Sequence, residues 1–204
     1  MANILASVII AECATEVQDE SYDHWSQAEW LDYLNEAQRV IVILKPKAYT
    51  TNGATVLVAG AKQSVPTGGI AIADIICNMG TDGATPGDIV LKTTRKELSL
   101  IIPGWYSATA SATAQLWIPD EGDPKVFYVY PPQPDSGQGY LQEVYSIVPP
   151  ECATAAASIT LSDDWEPSIK RYMLHKAYAK DSDISAVAKE VSVGWYSAFL
   201  GGLK

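Results

Sequence analysis

Positive charge, histidine and phenylalanine are scarce in this 204-residue chain, and it has no long apolar run. Lys and Arg total 14 against 24 Asp and Glu, for a net charge of −10. The imbalance is local. Residues 1–44 carry eight acids and one base, whereas residues 160–204 carry six of each. Nucleic-acid binding that tracks the backbone needs Lys and Arg against phosphate, so an acidic first segment argues against that class. His24 and His175 are the only histidines, and neither has a partner at metal-ligand spacing such as H-E-x-x-H. G-x-S-x-G, Walker-type and G-x-G-x-x-G patterns are absent, so no enzyme motif is present. Cys13, Cys77 and Cys152 form no C-x-x-C pair, which argues against a zinc site or a disulfide framework. No apolar run approaches the ~18 residues that span a bilayer, and the first ten residues lack a positive n-region. The expectation is a soluble protein folded in a reducing cytosol, with no cofactor and no membrane partner.

Eleven Tyr and six Trp stand against two Phe. Such amphipathic rings suit half-buried surfaces and protein interfaces as well as cores. The most ordered stretch is Trp25 to Pro46. Ser26 and Glu29 match a capping box, and Trp25 and Trp30 are placed for a hydrophobic staple. Leu31, Leu34, Ala37, Gln38, Ile41 and Leu44 share one helical face, and Pro46 stops the helix. Upstream, residues 3–19 read as one amphipathic helix with Cys13 on its apolar side. Asp19 to His24 is a short connection that returns the chain.

Beyond Pro46 the pattern changes to short β-branched runs separated by turn residues. Strands are expected at Val56–Val58, Gln63–Pro66, Ile70–Met79, Asp88–Thr93, Ala114–Ile118, Lys125–Tyr130 and Tyr140–Val148, with Asn52-Gly53 as a separator. Thr94 and Glu97 form a second capping-box pattern that opens a short helix through Ile101. Asp120-Glu-Gly-Asp-Pro124 reads as a solvated turn. Residues 150–160 read as a return linker. Asp163 or Asp164 then caps a third helix, with Pro167 in its first turn. A fourth helix begins at Ser182, with Ile184, Val187, Ala188, Val191, Trp195 and Phe199 as its stripe and Gly201-Gly202 at its end. The fold class is α+β: an antiparallel helical bundle built from both chain ends (residues 1–45 and 160–204), with an inserted, mainly antiparallel β domain at 46–159.

The order and spacing of several pieces resemble the head–tail adaptor (connector, head-completion) proteins of tailed bacteriophages, particularly short-tailed ones. The pieces are Leu31-Asp-Tyr-Leu-Asn-Glu-Ala-Gln38, Gly60-Ala-Lys-Gln-Ser-Val-Pro66, Asn78-Met-Gly80, Pro103-Gly-Trp105 and Asp120-Glu-Gly-Asp-Pro124, the last running on to Phe127-Tyr-Val-Tyr-Pro-Pro132. The resemblance implies a virion protein at the portal vertex, present as a ring of about twelve copies. It would bind itself, the portal protein and a tail nozzle or hub protein, and DNA would pass through it without specific contact. The family's C-terminal segment docks into the portal, which carries over to Trp195, Tyr196, Phe199, Leu200 and Leu203, with Gly201 and Gly202 letting the tail bend. Trp195 and Phe199 also complete the core stripe. Glu12, Glu16, Asp32 and Glu36 are the candidate channel-facing acids, because like charge keeps DNA from sticking. Rival readings are a tail terminator or tail completion subunit, and a carbohydrate-binding module using the β-domain aromatics.

Overall fold

The computed structural model describes residues 4–183 and 185–203. Ile184, counted in the fourth helical stripe, lies outside them. The fold is α+β, with five α-helices and two mostly antiparallel sheets. The chain divides into two compact units, Met1–Ala48 with Pro149–Lys204, and Tyr49–Val148.

In the first unit, α1 (Ala6–Glu16) and α2 (Gln27–Leu44) are joined by a loop that Asp19 organises. Its carboxylate accepts the backbone N–H groups of Asp23, His24 and Trp25, and these bonds hold it below the ordinary carboxylate range. The α2 start is built as its sequence predicts. Ser26 Oγ accepts Glu29 N–H at 3.3 Å, Glu29 Oε2 accepts Ser26 N–H at 3.1 Å, and the Trp25 and Trp30 rings pack 5.9 Å apart. The buried face holds Leu34, Ala37, Gln38 and Ile41 but stops at Val42, and Leu44 is exposed. α2 packs on α4 (Glu166–Lys180), and α4 packs on α5 (Ala186–Gly202).

Residues 150–160 are not a linker. They lie along α2, and two buried amides one turn apart hold them there. Asn35 donates to Cys152 O at 3.1 Å and accepts Cys152 N–H at 2.8 Å. Gln38 Oε1 accepts the N–H groups of Thr160 and Leu161. An Ala/Thr-rich stretch hides this role, because its contribution is backbone. On the other side Ser158 bridges to Leu5, and Ala6 N–H donates to Ala157 O. Asp163 does not cap α4. Its carboxylate accepts Ile4 N–H at 2.8 Å, ahead of α1. α5 starts at Ala186, with Ser185 as its cap, and runs through Gly201 and Gly202 instead of ending at them.

The second unit is two sheets. One has the order β1-β7-β3 (β1 Thr50–Val56, β7 Tyr140–Ile147, β3 Gly69–Asn78). The other has the order β2-β6-β5-β4 (β2 Gly60–Ser64, β6 Val126–Gln133, β5 Leu116–Pro119, β4 Leu91–Lys92). Leu57, Ile75, Trp117, Phe127, Val129 and Leu141 share one core. β1 precedes the expected Val56–Val58 run. Its threonines extend, and Asn52-Gly53 sits inside the ladder instead of turning it. β6 runs on through Pro131 and Pro132 to Gln133, beyond the strand expected to end at Tyr130. The Asp88–Thr93 candidate shrinks to the two-residue β4, with Ile89 in a single bridge to Cys77.

Buried amides again hold the irregular connections. Gln63 brackets Val58, accepting its N–H and donating to its carbonyl, both at 2.8 Å. Asn78 does the same to Ala114 at 2.9 and 2.8 Å. Gln133 joins Ser111 to Gly139. A Cβ on Gly139 would collide with the Ala112 carbonyl, so only glycine fits. α3 (Arg95–Ile101) forms with its predicted Thr94–Glu97 box and packs Leu98 beside Trp105 and Ile118. Asp120 accepts the Gly122 and Asp123 N–H groups, then Arg95 at 2.9 Å and the Tyr128 hydroxyl at 3.1 Å.

One buried group opposes the fold. Glu143 on β7 is 0% exposed, and neither carboxylate oxygen has a hydrogen-bond partner. Burial pushes its pKa from 4.5 up to about 8. Between those values the unfolded chain releases this proton and the folded chain keeps it, so stability falls as pH rises from about 4.5 to about 8 and then levels. Against wild type, Glu143→Gln should remove that decline, with the two differing by ~4 kcal/mol at the alkaline end in urea unfolding across pH. Asn35→Ala strands the Cys152 backbone groups and should lower unfolding free energy by about 2–4 kcal/mol in the same assay.

Candidate docking and channel surfaces

α5 buries one side only. Ala188, Ser192, Phe199 and Leu203 are buried, with Val191 and Trp195 half-buried. Val187, placed in the core stripe by spacing, is exposed. Ser192 takes the inward place because it answers a polar group on α4. Its hydroxyl donates to the His175 carbonyl at 3.1 Å and lies 2.9 Å from His175 Nδ1. His175 Nδ1 also lies 3.0 Å from the Ser192 carbonyl, so the pair fastens α4 to α5 through side chain and backbone of both residues. The aromatic rings of Tyr172, His175, Tyr196 and Phe199 stack along the same seam. Near the end of α5 the helices approach so closely that a Cβ on Gly202 would meet Arg171, whose guanidinium reaches the Ala198 carbonyl at 3.5 Å.

The five predicted docking residues therefore divide. Phe199 and Leu203 are core, and Trp195 is half-covered. Leu200 faces solvent at 42%, and Tyr196, at 38%, is exposed along one edge while its ring packs on His175 and Phe199. The outward side also shows Val193, at 59% exposure, with Gly194, Ser197 and Gly201 between. Spacing missed Val193 because it lies across the helix from the stripe. From Val191 to Leu203 there is no charged residue. A solvated helix face ordinarily carries charge, so a bare one signals a covered surface.

The four acids divide as well. Glu36 is engaged: the Tyr172 hydroxyl donates to it at 2.8 Å and Lys176 pairs with it at 3.0 Å. Burial opposes its ionisation, but these two donors outweigh burial and hold it below the ordinary carboxylate range. Glu12 faces Lys170 at 3.5 Å. Glu16 follows one turn later on the same exposed side, and the two acids line a shallow groove with Ala11, Thr15 and Lys170. Asp32 is exposed on α2 and lies outside that groove. Glu16 and Asp32 keep an unneutralised charge among the ion pairs of the described residues.

The β-unit tryptophans do not form a sugar platform, since Trp105 and Trp117 are both buried. Among the described residues, no group of three His, Cys, Asp or Glu could hold a metal ion. No helix of the described residues is long and apolar enough to cross a membrane.

The division of α5 predicts opposite outcomes at adjacent positions. Phe199→Ala should cost ~3–5 kcal/mol of stability. Leu200→Ala should stay within about 0.5 kcal/mol of wild type. Denaturant midpoints measured side by side check both.

No curated protein matches the chain. A family model described as SU10 adaptor protein matches residues 5–204, nearly the whole chain. It spans both units, including the C-terminal helices where the motif likeness was only one of layout. The chain belongs to the SU10 adaptor protein family, and this supports its role as a bacteriophage head–tail adaptor.

Proposed function

We propose that the protein is a structural part of the virion that closes into a ring of about twelve copies between portal and tail. In this reading the helices of both chain ends form an antiparallel bundle that builds the ring, and the β unit meets the tail nozzle or hub protein. DNA passes through without specific contact. The observation that carries the reading is the outward side of α5 from Val193 to Gly201, which carries no charge. Val193, Tyr196 and Leu200 are the portal anchors, and the small residues between them let a partner's backbone come close. Phe199 and Leu203 support this face from beneath. Trp195 contributes at its margin. Glu16 and Asp32 are the acids offered to the channel, with Glu12 partly and Glu36 fully neutralised by lysines. The net acidity of the first two helices suits a wall that DNA must slide past.

The test mixes the purified chain with the portal protein of the same phage and images the product by electron microscopy. A ring stacked on the portal is expected. Leu200→Asp should keep the circular dichroism spectrum and lose the stacked ring, because burying an unpaired carboxylate in a contact is costly. A wild-type chain that never joins the portal, or a Leu200→Asp chain that joins it normally, overturns the assignment of this face.

A further inference from the structure

Sheet edges invite pairing, and proteins blunt them with charge, proline or bulges. In this chain three edges are blunted. β3 breaks register three times and exposes Asp74. β2 shifts register beside Lys62. β4 has two residues. β1 is different. Its seven residues, Thr-Thr-Asn-Gly-Ala-Thr-Val, include no charge and no proline. Its register against β7 is unbroken from Thr50↔Ser146 to Val56↔Tyr140. Among the described residues its backbone bonds only to β7, so the outward N–H and C=O row is open.

A second observation lies one strand inward. Gly53 is the Cα partner of Glu143, the buried carboxyl with no hydrogen-bond partner. Directly opposed residues of an antiparallel pair share a face. A Cβ built on Gly53 would touch nothing within 4 Å, so no side chain occupies the position beside the carboxyl's strand at this glycine. A strand added outside β1 would place a residue about 10 Å from Glu143, two strand spacings away. A lysine or arginine there can lie across the glycine, and the glutamate chain can swing to meet it.

We infer that β1 takes up an extended segment of another protein that carries a lysine or arginine opposite Gly53, paired with Glu143. Strand addition supplies backbone bonds without sequence preference, and the carboxyl supplies the preference. A second copy of this chain does not fit the role. Its β1 has no cation, its β2 is irregular at Lys62, and its Lys92 already lies over the Trp117 ring at 5.1 Å on a two-residue strand. The inference is independent of the α5 face and would stand or fall apart from it.

The test uses the full chain and two nine-residue Thr/Val peptides, one with a central lysine and one with norleucine in its place. The lysine peptide should bind about tenfold tighter by calorimetry and protect β1 amides from hydrogen exchange. Glu143→Gln removes the ionisable carboxyl, and Gly53→Val fills the passage with a residue that strands favour. Both variants should stay folded and bind the two peptides equally. The proposal is overturned by no β1 protection, by equal affinities in the wild-type chain, or by a lysine preference that survives both substitutions. It is also overturned if β1 amides become protected with rising concentration and no peptide, since a second copy would then be the occupant.

Discussion

Two amide side chains on α2 hold the helical unit closed. Asn35 and Gln38 grip the backbone at Cys152, Thr160 and Leu161, more than a hundred residues along the chain. A carboxamide can donate and accept at once, so it can stand in for a strand against an irregular segment that has no ladder of its own. Without that grip the buried backbone N–H and C=O groups of Cys152 would lose the side chain that answers both. Ser158 could not bridge Leu5, and Asp163 would not be carried to Ile4. The first helix is thus positioned by residues near the end of the chain, through a loop made fast by the second helix.

The same device recurs in the β unit, which gives the family's motif residues a physical meaning. Gln63, Asn78, Trp105 and Asp120 lie in the stretches that carry the resemblance. Each has an inward or local duty: bracketing Val58, bracketing Ala114, packing beside Leu98, and ordering a turn while holding Arg95. These residues fix loops in space. The surfaces those loops present are left free to differ.

What could be read from the chain was what is local. The capping boxes at Ser26 and Thr94 and the stop at Pro46 depend on residues within four positions, and they formed as expected. What could not be read depends on distant partners. Asp163 looks like a helix cap until Ile4 is brought beside it. Ser192 looks like a surface residue until His175 answers it, and Val187 then loses its place in the core. Asn52-Gly53 has the chemistry of a turn, but β7 pairs with every residue from Thr50 to Val56 and keeps it straight. For the proposed docking residues, the sequence could place a helix but not which of its positions are exposed. Tyr196 and Leu200 face outward, Phe199 and Leu203 do not, and Val193 had no signal in a pattern tuned to buried stripes.

Arg171 closes the C-terminal end of α5 from a neighbouring helix. The peptide dipoles of a helix leave partial negative charge at its C-terminal end, normally met by a cation in its own last turn. α5 has none there. The guanidinium of Arg171, reaching from α4 to the Ala198 carbonyl and allowed in by Gly202, meets it from outside. A borrowed cation has a direction built in, because it favours only the pairing that brings that end of α5 to that turn of α4. It also spares the last turns of α5 a charge of their own, since Lys189 and Glu190 lie near its start, so that stretch can be electrostatically anchored on one side and remain neutral on the other.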